Sequence, residues 1–138
     1  IFRAFLEGVA LNTRWMMEPF GRFLGRDPGV VTAVGGGAQS DIWCQILADV
    51  TGQPIRQPPN PIQANALGAT FIAGVGMGAY ASLADTVALQ RTRRVYEPSS
   101  ALRRLYADKF ESFKELRRRL APLYRRLNAP ATPARTAA

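Results

Sequence analysis

The sequence of 138 residues contains no histidine and a single cysteine, Cys44. The missing histidine removes the commonest general base and the commonest metal ligand, and one cysteine can form neither an intrachain disulfide nor a thiolate zinc site. We expect Cys44 to be a small buried or half-buried thiol and not a nucleophile, because no histidine is present to activate it. Any chemistry must therefore rest on carboxylates, backbone amides or a bound cofactor.

Long apolar runs are missing as well. No stretch approaches the roughly 20 apolar residues needed to cross a bilayer, and the start lacks the basic segment and cleavage site of a signal peptide. A soluble protein is the expectation, and the absence of disulfides favours the cytoplasm. Because a helical pattern follows Ile1 at once without a capping residue, we interpret the chain as a fragment of a longer protein.

Positive charge is concentrated towards the end of the chain. The net charge is +8, yet residues 1–90 carry 5 Arg and 6 acids, whereas residues 91–138 carry 13 Arg or Lys and 4 acids. A nucleic-acid-binding domain is expected to spread its basic residues along a groove or face, so nucleic acid is not the expected partner. We interpret the arginines at 117–119 and 125–126 as the solvent-exposed face of the last helix, with an acidic partner surface as the alternative.

The hydrophobic pattern predicts a helix-rich α/β domain over residues 1–127 and a flexible tail over residues 128–138. Helices are predicted over residues 2–18, 40–50, 62–77, 82–89 and 99–127. Gly52 is expected to end the second of them, and Pro19 and Pro122 are expected to disturb the first and the last. Short strands are predicted over residues 30–34, 54–56 and 92–96, and the first of them has the composition of a buried parallel strand. The helix over residues 62–77 is rich in Ala and Gly, so we expect it to be buried with another backbone close against it.

A glycine-rich segment joins the first strand to the second helix. We call residues 35–40 the glycine turn, and its sequence is Gly35-Gly36-Gly37-Ala38-Gln39-Ser40. Backbone N–H groups and the positive end of a helix meet at such a turn, which makes it a natural ligand site, and Ser40 can cap the helix. The segment fits neither the dinucleotide fingerprint nor the phosphate loop with its lysine. These residues alone leave open the alternative that the turn serves only the fold and binds no ligand.

Three side chains of the helix that follows the glycine turn are weaker candidates for a functional role. Asp41 and Asp49 lie eight residues apart, about 12 Å along a straight helix, so they cannot form a catalytic pair. Asp41 is interpreted as a first-turn acid favoured by the helix dipole, and Asp49 as a structural or surface acid. Trp43 could stack on a base, but its helical spacing with Ile46 and Leu47 favours a place in the core.

Several separate motifs agree with one protein family in order and spacing. They are Val34-Gly35-Gly36-Gly37-Ala38-Gln39-Ser40, Trp43, Gln45-Ile46-Leu47-Ala48-Asp49, Gly52-Gln53-Pro54-Ile55, Ala66-Leu67-Gly68-Ala69 and residues 74–78, supported by residues 6–10 and the last helix. With these motifs, residues 1–127 resemble the C-terminal domain of the FGGY carbohydrate kinases, and within that family the xylulose kinase-like branch. The resemblance implies part of an actin-like ATPase (ribonuclease H-like) fold, in which two α/β domains close over ATP, Mg²⁺ and a sugar.

The resemblance also implies what this part of the kinase does. Gly36, Gly37 and Ala38 would lie against the adenosine of ATP, and Ser40 would contact the adenine side. No catalytic residue or metal ligand is assigned within the chain, because the family's catalytic aspartate, its first phosphate-binding loop and most of the Mg²⁺ site belong to an N-terminal kinase domain upstream of Ile1. Gln63 departs from the family pattern, in which many members carry glutamate, so no role of an acid is carried over to it.

The predicted function is that of the C-terminal fragment of an ATP-dependent kinase that phosphorylates a pentulose such as xylulose, with the fragment alone inactive. The expected partners are the sugar, ATP and the N-terminal kinase domain; no membrane partner is expected, and a homodimer stays open. The alternative from another class is a non-catalytic nucleotide-binding or interaction module of the same fold. An upstream reading frame with an Asp-Gly-Thr type phosphate loop would favour the kinase.

Overall fold

The computed structural model describes residues 1–128, which form five α-helices and a three-stranded sheet. In chain order these elements are α1 (Phe2–Leu24), β1 (Val31–Thr32), α2 (Asp41–Thr51), β2 (Ile55–Gln57), α3 (Ala64–Gly76), α4 (Leu83–Val87), β3 (Arg94–Tyr96) and α5 (Arg103–Leu127). Short 3-10 turns lie at Gly36–Gln39, Pro61–Gln63 and Ser100–Leu102. Apart from Asn128, the predicted tail over residues 128–138 lies outside the described residues.

The small sheet has the strand order β1-β2-β3. β1 runs parallel to β2, with Val31 opposite Ile55, whereas β2 runs antiparallel to β3, with Ile55 opposite Tyr96. The predicted parallel strands are therefore present in one pair, and the second pair is antiparallel. The prediction that the first strand is buried was wrong, because β1 has one neighbouring strand among the described residues and leaves Val30 and Val34 exposed.

Helix α2 lies at the centre of the domain, between two hydrophobic clusters. On one side it packs against α1 and α5, where the buried cluster consists of Ala10, Leu11, Ile46, Val50, Tyr106 and Phe110. On the other side it packs against the sheet, where the buried cluster consists of Cys44, Ala48, Ile55 and Tyr96. Because apolar residues on two of its faces are covered by different neighbours, this packing fixes the position of α2.

Local signals set the ends of the helices. The hydroxyl of Ser40 accepts a hydrogen bond from the N–H of Trp43, and α2 ends at Gly52 with φ +72°. Both ends were predicted, and both are confirmed. The helices α1 and α5 continue through Pro19 and Pro122 instead of stopping there. Each proline deprives the carbonyl four residues earlier of its usual donor, and these two lie near exposed helix ends where water can take its place.

The environment of α3 differs from the prediction. The helix is present, but Leu67 and Ile72 are 47% and 65% exposed, and only Phe71 and Gly74 are buried. The prediction of a buried helix was therefore wrong. Close approach does occur at Gly74, where the neighbour is the ring of Tyr80 and not another backbone. A run of small apolar residues shows that a helix can be packed closely, but not what covers it.

The arginines at 117–119 and 125–126 of α5 are exposed to solvent, as predicted. Arg118 and Arg119 both form ion pairs with Glu115 one turn earlier, and the guanidinium of Arg117 lies 5.7 Å from the ring centre of Trp15. These contacts within the fold account for part of the charge of the segment. Among residues 1–128, none of the helices is long and apolar enough to span a membrane.

Candidate functional site

The glycine turn carries the chain from β1 to α2 in a tight loop. Gly35 has φ +88°, a left-handed conformation that favours glycine, and its N–H donates to the carbonyl of Pro61 at 2.8 Å. A single 3-10 turn follows, in which the N–H of Ala38 donates to the carbonyl of Gly35 at 3.2 Å. The N–H of Ser40 then donates to the carbonyl of Gly37 at 3.1 Å. These bonds lead the backbone directly into the first turn of α2.

Two glycines of the turn expose their backbone for different reasons. A Cβ on Gly36 would meet no atom within 4 Å, so the space above this residue is open. A Cβ on Gly37 would lie 3.3 Å from Cδ1 and Nε1 of Trp43, so here the glycine makes room for the indole. Gly36 thus offers backbone to a ligand, whereas Gly37 is also needed for packing. Trp43 joins the cluster between α1, α2 and α5, in agreement with its predicted place in the core.

Ala38 and Ser40 face in opposite directions. Ala38 is 2% exposed and lies on the inner side of the turn. Its carbonyl accepts hydrogen bonds from the side-chain amide of Gln57 at 2.6 Å and from the thiol of Cys44 at 3.6 Å. Ser40 is exposed, and its hydroxyl oxygen caps α2 while its hydrogen can still be donated to a ligand.

The structure shows a polar network behind the turn that sequence reasoning missed. The hydroxyl of Tyr96 lies 2.8 Å from Oδ1 of Asp41 and 3.0 Å from Oε1 of Gln57. Arg93 donates to the same two oxygens, at 3.3 and 3.2 Å. The network joins β2 and β3 to the first residue of α2. Of the four residues in this network, only Asp41 was singled out from the sequence, as an acid in the first turn of the helix.

Ionisation in this network follows from its geometry. The hydrogen bond from Tyr96 is the main cause that lowers the pKa of Asp41, so the carboxylate is charged at neutral pH. Burial, followed by the nearby Asp41 carboxylate, raises the pKa of Tyr96, and burial likewise raises the pKa of Cys44. Cys44 is fully buried, as predicted, and behaves as a packing residue.

The second acid of α2 serves a separate purpose. Oδ1 of Asp49 accepts hydrogen bonds from the side-chain amide of Gln45 and from the N–H of Ser99, both at 2.9 Å. Asp49 therefore ties α2 to the chain before α5 and has no contact with the network of Asp41. No group of three or more His, Cys, Asp or Glu that could hold a metal ion is found within the described part of the chain.

A cavity of about 620 Å³ opens beside the glycine turn. Its polar walls come from the side chains of Thr32, Arg56, Asn60, Gln63, Asn65, Gln90 and Arg91. Val34, just before the turn, and Leu67 and Phe71 of α3 contribute apolar wall. The cavity includes Gln63 but none of the residues predicted to contact adenosine. Of these, Gly36, Gly37 and Ser40 are exposed at the turn, whereas Ala38 is buried, so its side chain does not face a ligand there.

Solved structures of sugar kinases contain the same arrangement of elements. Gluconate kinase from Lactobacillus acidophilus superposes with a TM-score of 0.77 at 25% identity, covering 91% of this chain and 25% of that protein. Xylulose kinase from Rhodospirillum rubrum superposes with a TM-score of 0.72 at 33% identity, covering 88% of this chain and 25% of that protein. These likenesses confirm the predicted fold class, part of an actin-like ATPase fold.

Sequence comparison agrees with the structural comparison. The autoinducer-2 kinase of Yersinia enterocolitica is 40% identical over 107 residues, which are 77% of this chain and 20% of that protein. The chain thus spans about a fifth of the length of the curated relatives it matches. The family model for the C-terminal domain of the FGGY family of carbohydrate kinases matches residues 1–77. The chain therefore belongs to the FGGY family of carbohydrate kinases.

Proposed function

We propose that the chain is the nucleotide-side part of an ATP-dependent carbohydrate kinase, and that its glycine turn contacts the adenosine of ATP. The observation that carries this proposal is the open space above Gly36, in an exposed turn that leads into the N-terminus of α2. A ligand can approach the backbone there without meeting a side chain. In this proposal Gly36, Gly37 and Ser40 touch the nucleotide, and Ala38 holds the turn from its inner side.

The positive end of α2 already has a partner within the chain. A helix N-terminus alone would attract an anion. Here the carboxylate of Asp41 occupies the first turn, and Arg93 and Arg94 lie 3.3 and 3.8 Å from its oxygens. Because an acid of the chain already interacts with the helix end, the proposal gives the turn the uncharged ribose and adenine groups and not the phosphates.

The proposed reaction is the transfer of the γ-phosphoryl group of ATP to a hydroxyl group of a sugar. Such transfer depends mainly on positioning and on electrostatic stabilisation of the phosphoryl oxygens, and Mg²⁺ supplies positive charge to the phosphates when it is bound. In this proposal the N-terminal kinase domain provides the catalytic aspartate and most of the contacts to the metal. The chain alone is expected to be inactive. A cytoplasmic location is part of the proposal, supported by the single, buried thiol.

For the substrate we propose a pentulose such as xylulose. The support is the likeness to the xylulose kinase of Rhodospirillum rubrum at 33% identity. Autoinducer-2 kinases and a gluconate kinase are among the similar proteins too. An assay of the whole kinase must therefore compare D-xylulose and L-ribulose with gluconate, autoinducer-2 and glycerol, with ADP release as the signal.

The test of the nucleotide site is calorimetric titration of ATP into the whole kinase that contains this chain. Gly36→Val adds a side chain where the fold leaves space, so we expect a folded protein whose Kd for ATP rises about tenfold or more. Gly8→Val in α1 is the matched control, because a Cβ there also meets no atom within 4 Å. Unchanged affinity in Gly36→Val would contradict the adenosine contact. ATP binding without ADP release on any sugar would favour a non-catalytic nucleotide-binding module.

A further inference from the structure

Gln57, the last residue of β2, has a fully buried side chain that ends beneath the glycine turn. The orientation of its carboxamide follows from chemistry. A guanidinium can only donate hydrogen bonds, so the oxygen Oε1 must be the atom that faces Arg93 at 3.2 Å. The nitrogen Nε2 therefore faces the carbonyl of Ala38 and donates to it at 2.6 Å.

The hydrogen bond from Gln57 is the stronger of the two that the Ala38 carbonyl accepts. Its other donor is the thiol of Cys44, at 3.6 Å, and thiols are weak donors. A buried carbonyl without a strong donor is unfavourable, so the turn would change its path to find another one if Gln57 were removed. Gln57 thus holds the end of the 3-10 turn, while the bond from Gly35 to Pro61 holds its start.

The position of Gln57 is itself held by Tyr96 of β3 and by Arg93, which directly precedes that strand. The Tyr96 hydroxyl and the Arg93 guanidinium both face its Oε1, and both also contact Asp41 in the first turn of α2. The ring of Tyr96 is buried against the helix α2, which keeps its hydroxyl in place. The turn is therefore braced from below by a side chain that accepts a hydrogen bond from Arg93 and donates one to Ala38, with the Tyr96 hydroxyl 3.0 Å from its Oε1.

We propose that Gln57 is a positioning residue for the nucleotide, and that Tyr96 and Arg93 set its orientation. By fixing the Ala38 carbonyl, Gln57 fixes the path of Gly36 and Gly37, whose backbone is the surface offered to the ligand. A turn that is already in its binding conformation binds more tightly, because less ordering is needed on binding. This inference rests on the proposed function, since it assumes that the glycine turn contacts ATP.

The experiment compares Gln57→Met with Gln45→Met in the whole kinase. Both changes remove a side-chain amide that donates to a backbone carbonyl, that of Ala38 for Gln57 and that of Glu97 for Gln45. We expect Gln57→Met to raise the KM and the Kd for ATP about tenfold, with kcat at saturating ATP and the KM for the sugar nearly unchanged. Gln45→Met is expected to lower the melting temperature while leaving the Kd for ATP within about twofold.

Wild-type ATP affinity in a folded Gln57→Met protein, or an equal loss in both variants, would overturn the inference. If Gln57→Met does not fold, Tyr96→Phe decides in its place: a raised Kd for ATP supports the inference and an unchanged Kd overturns it. Gly36→Val separates this inference from the proposed function. If Gly36→Val binds ATP normally, the adenosine contact is wrong; if it loses ATP while the Gln57 and Tyr96 variants keep it, only the positioning role is wrong.

Discussion

Glu7 in α1 and Lys109 in α5 form an ion pair of 2.7 Å between residues 102 positions apart in sequence. The hydroxyl of Tyr106 and the guanidinium of Arg3 also donate to this carboxylate, both at 2.9 Å. Burial acts to raise the pKa of Glu7, but the three hydrogen bonds together outweigh burial, so the pKa is lowered. The cluster joins the first helix to the last.

We expect Glu7→Gln to lower the free energy of unfolding at pH 7 by about 1–3 kcal/mol, because the side chain is only 14% exposed and loses charge-assisted bonds. A lowered folded-state pKa gives stability that is complete above the unfolded value, 4.5, and is lost as the pH falls through the folded value. The difference from wild type should therefore shrink below about pH 4.5. Urea unfolding at a series of pH values measures this difference in the free energy of unfolding. Glu111→Gln, at an exposed position, is the control. A difference that does not change with pH would contradict this account.

Replacement by alanine is expected to change the stability of the protein in opposite directions at two glycines. Gly52 ends α2 at φ +72°, so Gly52→Ala should destabilise the protein by about 1–2 kcal/mol through backbone strain. Gly8 lies within α1 at a position with open space, so Gly8→Ala should stabilise it by about 0.5–1 kcal/mol. Denaturant titration of both variants measures the difference, and equal signs would show that these helix positions are misassigned.

Gly74→Ala should be destabilising because an added Cβ would lie 2.7 Å from the ring of Tyr80. Overpacking of this kind costs about 1–3 kcal/mol. The effect should be much smaller in a Tyr80→Ala background, where the obstructing ring is gone. A double-mutant cycle by thermal unfolding gives the coupling, and additive effects would rule out the contact.

Tyr96→Phe should raise the pKa of Asp41 towards its ordinary value, 3.8, because the hydrogen bond from Tyr96 is the main cause of the shift. The phenylalanine ring keeps the buried packing of Tyr96, so the change is confined to the hydroxyl. Titration of the Asp41 carboxyl carbon by NMR measures this pKa. Tyr80→Phe serves as control, and an Asp41 pKa that stays low in Tyr96→Phe would assign the shift to the other neighbours of the carboxylate, Arg93, Gln57 and Arg94.

Sequence reasoning succeeded where the determinants are local. The cap at Ser40 and the stop at Gly52 depend on neighbours within four residues, and the structure has both. The role of Gln57 depends on partners 19, 36 and 39 residues away, so it emerges only once the register of β2 and β3 is known. The exposure of α3 likewise depends on what packs against it, which its own composition of small residues does not reveal.

The position of α2 between two hydrophobic clusters also predicts which parts of the chain unfold readily and which unfold last. Its amides at Ile46, Ala48 and Val50 can reach water only when the helices on one side and the sheet on the other separate together. Hydrogen exchange should therefore be slowest there and should report the unfolding of the whole cooperative unit. The amides of α3, whose side chains are mostly exposed, should exchange through smaller and more frequent openings. The glycine turn leads directly into α2, the helix whose amides are expected to exchange most slowly.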